Sequence, residues 1–353
     1  MLTLLAFIFV LGIAILFHEF GHFITAKISG IKVFRFSIGF GPKVTGIFWK
    51  GTEYVLCLFP FGGYVKMAGE NSQIEKETNK EILSSETVPD EQRFDRKTLF
   101  TRASVIINGP IMNIVLAILL LIIVFLFSGT AQITNTISEV EQGSPAAEAG
   151  ILGGDQIIAI DSNKIEHAHE ISEMINKNKE EVISIKILRN DDVFETNLTP
   201  EYKSEHERAM IGITLEVTKV ELTFYQSIKK SIVTTGEIIA LIGRGFVEMF
   251  TGNMPVELAG PLGIAQMAGE AAQVGFLNLL FFTAVINIFL GIINLFPIPI
   301  LDGGQIVLLA IEKIRGKPLE PEHINFLYMI GMALIVMIFI IATYQDILRI
   351  FLK

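Results

Sequence analysis

The sequence predicts a polytopic α-helical membrane protein with four transmembrane helices, a membrane-associated β-hairpin region and one inserted small α/β domain. Three observations predict this class. The 353-residue chain is 51 % hydrophobic with a mean hydropathy of +0.53, too apolar for an ordinary soluble domain. Four stretches are long and uncharged enough to cross a bilayer, which takes about 20 apolar residues. Between the second and the third, the pattern changes to strand-like runs and a charged helical segment. The net charge of −9, without a long basic run, argues for no nucleic acid partner. Cys57 is the only cysteine, which leaves no disulfide framework and no thiolate zinc cluster.

The first span covers roughly residues 3–26. Residues 1–17 are uncharged and apolar, but no Lys or Arg precedes them and no small-residue cleavage pattern follows. A retained span, not a cleaved signal, is expected. Residues 32–68 are rich in β-formers with Gly and Pro turns and are expected to form the β-hairpin region. Residues 71–98 are densely charged and read as a cytoplasmic loop. The second span covers about 105–127, the third about 275–297 and the fourth about 324–343. A weaker candidate at 231–250 has Lys230, Glu237, Arg244 and Glu248 near one helical face. It is expected to lie on the membrane surface or on the soluble insert, with five spans as the alternative.

Loop charge sets the orientation. Lys27, Lys32, Arg35, Lys43 and Lys50 follow the first span, and Arg93, Arg96, Lys97 and Arg102 crowd the start of the second. The positive-inside rule makes this loop cytoplasmic and places 128–270 outside. The expected localisation is the cytoplasmic membrane, multi-pass. The expected divisions are 1–127, 128–205 (the insert), 206–274 (an amphipathic helical segment) and 275–353. Within the insert, Ser144 is a helix N-cap, Pro145 the first helical residue and Gly150 the stop. "DQIIAID" and "VISIKILRN" read as strands, with "HEISEMINKN" as a helix between them.

The chemistry sits in "ILFHEFGH" at 15–22. His18 and His22 are four apart, so on a helix they share a face and can hold one Zn²⁺. Glu19, one residue along, is placed to act as the base that deprotonates water. The bland alternative, a polar patch between packed helices, is weak inside a span, where ionisable groups are rare and usually functional. A catalytic zinc site needs a third protein ligand. His167, His169, His206 and His323 are available, but the first three fall outside and nothing orders His323. Asp302 in "NLFPIPILDGG" (294–304) is the better candidate. Spans one and three run in the same direction, so their C-terminal ends meet on one side, and the two motifs lie at those ends. Pro297 and Pro299 break helical pairing just before Asp302. The competing reading is that Asp302 caps the next helix.

Together HEFGH, NLFPIPILDGG and the insert resemble the site-two protease family of intramembrane zinc metalloproteases, most of all the bacterial regulator of sigma-E protease group. "GFGP" (39–42), "PFGGYVKMAGE" (60–70), "NGPIMN" (108–113) and "AGPLGIA" (259–265) support the resemblance. The insert's "SPAAEAGILGGDQIIAI" wording resembles a PDZ domain. The resemblance implies that His18, His22 and Asp302 bind zinc, that Glu19 is the catalytic base, and that Asn294, Pro297 and Pro299 hold substrate. It implies a transmembrane protein substrate, contact with membrane lipid and a peptide or C-terminus bound by the PDZ-like domain. Anti-sigma factors and remnant signal peptides are the substrate classes of that group. The active site is expected toward the cytoplasm. The sequence has room for one PDZ-like domain, where better-known members have two. A helical substrate must unwind before hydrolysis, and the 32–68 region offers an edge to accept an extended strand. A metal-binding membrane transporter and a non-catalytic PDZ scaffold are the rival readings.

Overall fold

The structure, a computed structural model, describes residues 1–70, 88–203, 208–252, 259–317 and 319–351. Most of the charged loop (71–87) and His206 lie outside the described residues. In sequence order the helices and strands are α1 (Leu2–Ile28), β1 (Val33–Trp49), β2 (Thr52–Met67), α2 (Leu99–Ser128), β3 (Thr130–Val140), α3 (Pro145–Glu148), β4 (Gln156–Ile160), β5 (Asn163–Lys164), α4 (Ala168–Lys177), β6 (Ile183–Arg189), β7 (Asp192–Leu198), β8 (Glu201–Lys203), β9 (Arg208–Met210), β10 (Ile213–Val220), α5 (Phe224–Thr251), α6 (Pro261–Val274), α7 (Phe276–Asn294), α8 (Asp302–Arg315) and α9 (Pro321–Phe351). Among the described residues four helices, α1, α2, α7 and α9, are long and apolar enough to cross a membrane. They are the four spans the hydropathy predicts.

The protein divides into two compact units, Met1–Ser128 with Thr223–Lys353, and Gly129–Leu222. In the first, α2 is central and packs on α1, α5, α7 and α8. Small residues set the close approaches. A Cβ at Gly21 of α1 would stand 2.1 Å from the Asn108 carbonyl oxygen of α2, and one at Gly291 of α7 3.0 Å from that of Pro110. With lipid as apolar as the helices themselves, such close packing is what holds spans together. Ala6 and Val10 of α1 form a second small-residue contact with Ala268 of α6 and Leu279 of α7.

The β region is more folded than a plain hairpin. Arg35–Ile38 lie between two segments of β2, pairing with Glu53–Leu56 and with Gly63–Lys66. Lys43 and Thr45–Trp49 pair with Thr52–Cys57. Val33, Phe36, Val65 and Met67 bury against Ala26, Phe94, Val105 and Ile106, which seats the region on the ends of α1 and α2. Its far end leaves Val44, Ile47, Phe48 and Trp49 exposed. Arg35 and Lys43 both pair with Glu53. The Lys43 hydrogen bond, aided by that of Arg35, holds the Glu53 carboxyl below its ordinary value against burial.

The insert extends past residue 205, to Leu222, because the polypeptide returns as β10 and pairs antiparallel with β3. Its sheet order is β10-β3-β4-β6-β7. Its core is fourteen buried apolar residues, with isoleucines 137, 151, 157, 160, 171, 183 and 185 at 0–1 % exposure. The Ser144 side chain accepts the Ala147 N–H at 3.3 Å, Pro145 opens α3, and Gly150 follows it at φ +77°. Asp155 is buried and takes two bonds from Arg189 and one from the Leu152 N–H.

The helix expected on the membrane surface or on the insert, α5, belongs to the membrane unit and not to the insert, and it packs along α2 and α7. The reason is a stripe of hydroxyls at i, i+4 spacing. Ser227, Ser231 and Thr235 are buried, and each returns its hydroxyl to the carbonyl four residues back. That stripe presents a narrow face whose own donors are met, beside the buried Thr234 hydroxyl, which has no partner among the described residues.

Candidate active site

Three elements build the site. α1 places His18 and His22 one turn apart, and their Nε2 atoms lie 3.2 Å from each other. α8 places Asp302 in its first turn, with Oδ2 3.3 Å from His18 Nε2 and Oδ1 3.6 Å from His22 Nε2. The three side chains have ligand atoms all within 4.8 Å of one another, and this is the one such metal-competent group among the described residues. Asp302 does not cap α8, whose N-cap is Leu301 with no side-chain cap bond. Instead Asp302 Oδ2 is buried without a hydrogen-bond donor.

The donor chemistry fits a zinc ion. His22 Nδ1–H donates to the Val105 carbonyl at 2.9 Å, which leaves Nε2 with its lone pair toward Asp302. That is the outer hydrogen bond a ligating histidine uses to hold its tautomer and ring plane. An orphaned buried carboxylate oxygen beside two imidazole nitrogens would be costly without a cation. Two imidazoles and one carboxylate are a donor set zinc takes in hydrolytic sites, with a fourth position left open.

α2 supplies the floor. A Cβ on Gly109 would stand 2.3 Å from His22 Nε2 and 2.9 Å from His18 Cε1, so only glycine admits the two rings here. Beside them, Glu19 faces β2: a Cβ on Gly63 would stand 3.1 Å from Glu19 Cγ. The three cluster residues and Glu19 line a cavity of about 260 Å³ together with Tyr64, Val65, Met67 and Glu70. A larger cavity of about 970 Å³ shares Tyr64, Val65, Met67, Glu70, Ile300 and Gln305 with it and runs on past Arg96, Arg102 and Glu312.

The linker from α7 to α8 brings the remaining residues in. Asn294 Nδ2 lies 3.4 Å from His18 Nδ1. Cβ atoms on Gly303 and Gly304 would stand 2.2 Å from the carbonyl oxygens of Leu295 and Ile298, so the double glycine lets α8 start hard against the linker. Ile300 sits at φ +89° and lines the cavity. A β-branched residue there carries strain of order 1–3 kcal/mol, which the surrounding packing must hold. Of the other histidines, His167 and His169 stack on each other in the insert. His323 pairs at 3.8 Å with Glu320 and is exposed.

Sequence reasoning brought out His18, Glu19, His22, Asp302 and Asn294, and all of them meet here. It missed Val105, Gly109, Glu70 and Ile300. "NGPIMN" was a signal for Gly109. A main-chain carbonyl and a strained backbone have no residue-type signature.

Comparison with known proteins agrees with this geometry. The family model for peptidase family M50 matches residues 6–338. The regulator of sigma-W protease RasP of Bacillus subtilis is 29 % identical, over 99 % of this protein and 99 % of that one. The zinc metalloprotease RasP of Bacillus licheniformis is 30 % identical, over 99 % of this protein and all of that one. Among solved structures, the PDZ domain of an SdrC-like protein from Listeria monocytogenes is 25 % identical over 23 % of this protein and 84 % of that domain, with a TM-score of 0.22. With a metal-competent His/His/Asp cluster between α1 and the first turn of α8, and with relatives along its whole length, this protein belongs to peptidase family M50, as a zinc metalloprotease of the membrane.

Proposed function

We propose that the protein is a site-two protease that cleaves single-span membrane proteins inside the bilayer, near its cytoplasmic face. The observation that carries this reading is the His18, His22 and Asp302 cluster with Glu19 beside it but not among the ligand atoms. In this reading His18, His22 and Asp302 hold zinc. Zinc, when bound, supplies Lewis acidity that makes water nucleophilic at neutral pH and stabilises negative charge on the scissile carbonyl. Glu19 takes a proton from the attacking water and returns it to the leaving amine. His22 is kept in its ligating tautomer by Val105.

The substrate has to arrive unwound, because a helical peptide carbonyl is paired and screened. Among the described residues, the Gly63–Val65 segment of β2 takes its strand partner, Phe36–Ile38 of β1, on one side, and it passes over Glu19. An extended substrate strand added to its open edge would run across the catalytic carboxylate. Asn294 at the end of α7, and Pro297 and Pro299 in the linker to α8, hold that strand. The larger cavity gives water a route in from the loop side. The insert faces outward and takes a peptide or a free C-terminus. Anti-sigma factors and remnant signal peptides are the substrates proposed.

The test is Glu19→Gln in the full-length protein. It retains zinc at one ion per molecule and loses cleavage of a single-span reporter by at least about 10²-fold, the usual worth of a positioned general base. Full cleavage by Glu19→Gln, or loss of zinc with it, overturns the reading. In cells, the same variant accumulates the single-span fragments that are natural substrates.

A further inference from the structure

The stretch AGPLGIA (259–265) and the acid Asp346 play no part in the chemistry above, and the structure joins them. α6 begins at Pro261 with Gly260 as its N-cap, a residue with no side chain to cap anything. The cap comes from another helix. Asp346 of α9 accepts the Gly260 N–H at 3.1 Å through one oxygen and the Gly263 N–H at 2.7 Å through the other. Asp346 is 1 % exposed, so both charge-assisted bonds are made away from solvent, at the end of α6 that favours negative charge. Glycine is needed at both partners: a Cβ on Gly260 would stand 2.6 Å from Asp346 Oδ2, and one on Gly263 2.7 Å from Oδ1.

What this contact restrains is α9. Among the described side chains of α9, only Gly331, Ala342 and Asp346 are buried. Ala342 sits with Asp346 at the Gly260 end. Gly331 is about 22 Å away along the helix. A Cβ there would stand 1.9 Å from the Pro299 carbonyl oxygen. α9 therefore makes its buried contacts with α6 at one end and with the Pro299 linker toward the other, while Pro321, Ile324, Asn325 and Tyr328 line the larger cavity. α6 in turn packs on α1 and α7, the helices that carry the HExxH motif and Asn294.

We propose that Asp346 is a positioning residue: by capping α6 it pins α9, which holds Gly331 against Pro299 and keeps the Pro297–Pro299 segment in the shape that grips substrate. The proposal rests on the reading of Pro297 and Pro299 as a substrate-holding segment. Asp346 lines neither cavity, so it acts through the two helices it joins, α6 and α9.

The experiment uses the full-length protein in detergent micelles, as wild type, Asp346→Ala, Asp346→Asn and Gly263→Ala. It reads amide exchange by mass spectrometry, zinc per molecule, and KM and kcat on a single-span reporter. In Asp346→Ala, exchange rises about tenfold or more at both 259–265 and 295–301, because a local opening has become cheaper. KM rises several-fold while kcat and zinc content hold. Asp346→Asn, which keeps one acceptor oxygen, falls between wild type and Asp346→Ala. Gly263→Ala breaks the same contact from the other side and reproduces the pattern, so a folding defect in Asp346→Ala does not decide the matter. Faster exchange at 259–265 with 295–301 and KM unchanged overturns the proposal, leaving only a local cap. Unchanged exchange at both overturns it outright. If the wild type cleaves no reporter but 259–265 and 295–301 loosen together, the brace stands and the proteolytic reading falls.

Discussion

Gly109→Ala tests whether the metal site is set by how close α2 comes to α1. The added Cβ would stand 2.3 Å from His22 Nε2, where ordinary contact begins at 3.4 Å, so the ring must retreat by about 1.1 Å. The ring is not free to retreat, because its Nδ1–H is held by the Val105 carbonyl at 2.9 Å. Breaking that bond costs about 1 kcal/mol, and forcing the methyl in costs about 1–3 kcal/mol of packing strain. Either way His22 Nε2 leaves its place opposite Asp302. A loss of outer support for a metal ligand typically weakens binding about 10–100-fold, and a 1 Å misplacement of a catalytic group can cost about 10²-fold in rate. The assay is zinc retained per molecule across a graded chelator series, followed by cleavage of a single-span reporter at saturating zinc. The control is Gly236→Ala in α5, where nothing lies within 4 Å of the new Cβ. That variant keeps zinc and activity and gains helix stability of up to about 1 kcal/mol. If Gly109→Ala holds zinc within about threefold of wild type and cleaves normally, the close approach is not what places the ligands, and the argument from ångström-scale positioning fails.

Two further outcomes follow from charged contacts away from the cluster. Arg102 of α2 and Glu312 of α8 form an ion pair with 12 % and 20 % side-chain exposure, in the wall of the larger cavity. Glu312→Gln lowers stability by about 1–3 kcal/mol, less than a fully buried pair, and the exchange Arg102→Glu with Glu312→Arg recovers much of the loss in a thermal melt; single variants with unchanged midpoints would refute it. Asp155 in the insert is pushed up by burial, but the Arg189 and Leu152 hydrogen bonds outweigh this and hold its carboxyl below its ordinary value. A depressed carboxyl contributes stability above its unfolded pKa of about 4 and loses it as pH falls through the folded value, so Asp155→Asn flattens the acid limb of the insert's unfolding curve below about pH 4.

Much of the site was legible because its chemistry is local. HExxH works through helical periodicity alone, and a span containing three ionisable groups in five residues announces a function. Asp302 was legible through topology: two spans running the same way bring their C-terminal ends to one face, and Asp302 follows just after the end of the second of them. The insert's strands and caps were readable from alternation and from Ser144, Pro145 and Gly150. Its true end at Leu222 was not, since β10 belongs to the insert only through pairing with β3, some 80 residues earlier in the sequence. That α5 packs on the spans and not on the insert was hidden for a related reason. Its five charges are conspicuous in the sequence, while the buried Ser227, Ser231 and Thr235 stripe carries little hydrophobic signal.

By itself, then, the sequence determined the class of the protein, its four spans, the two imidazoles on one helix face and the acid that completes the cluster. Those follow from composition and from periodicities of a single element. Only the tertiary structure decided what keeps the cluster in register. Gly109 clears room for two rings, Val105 orients one of them, Gly303 and Gly304 seat α8 against its linker, and Asp346 caps a helix more than 80 residues away. Each is a contact between elements remote in the sequence, set by steric clearance or by a main-chain hydrogen bond, and such contacts leave no periodic trace in a sequence.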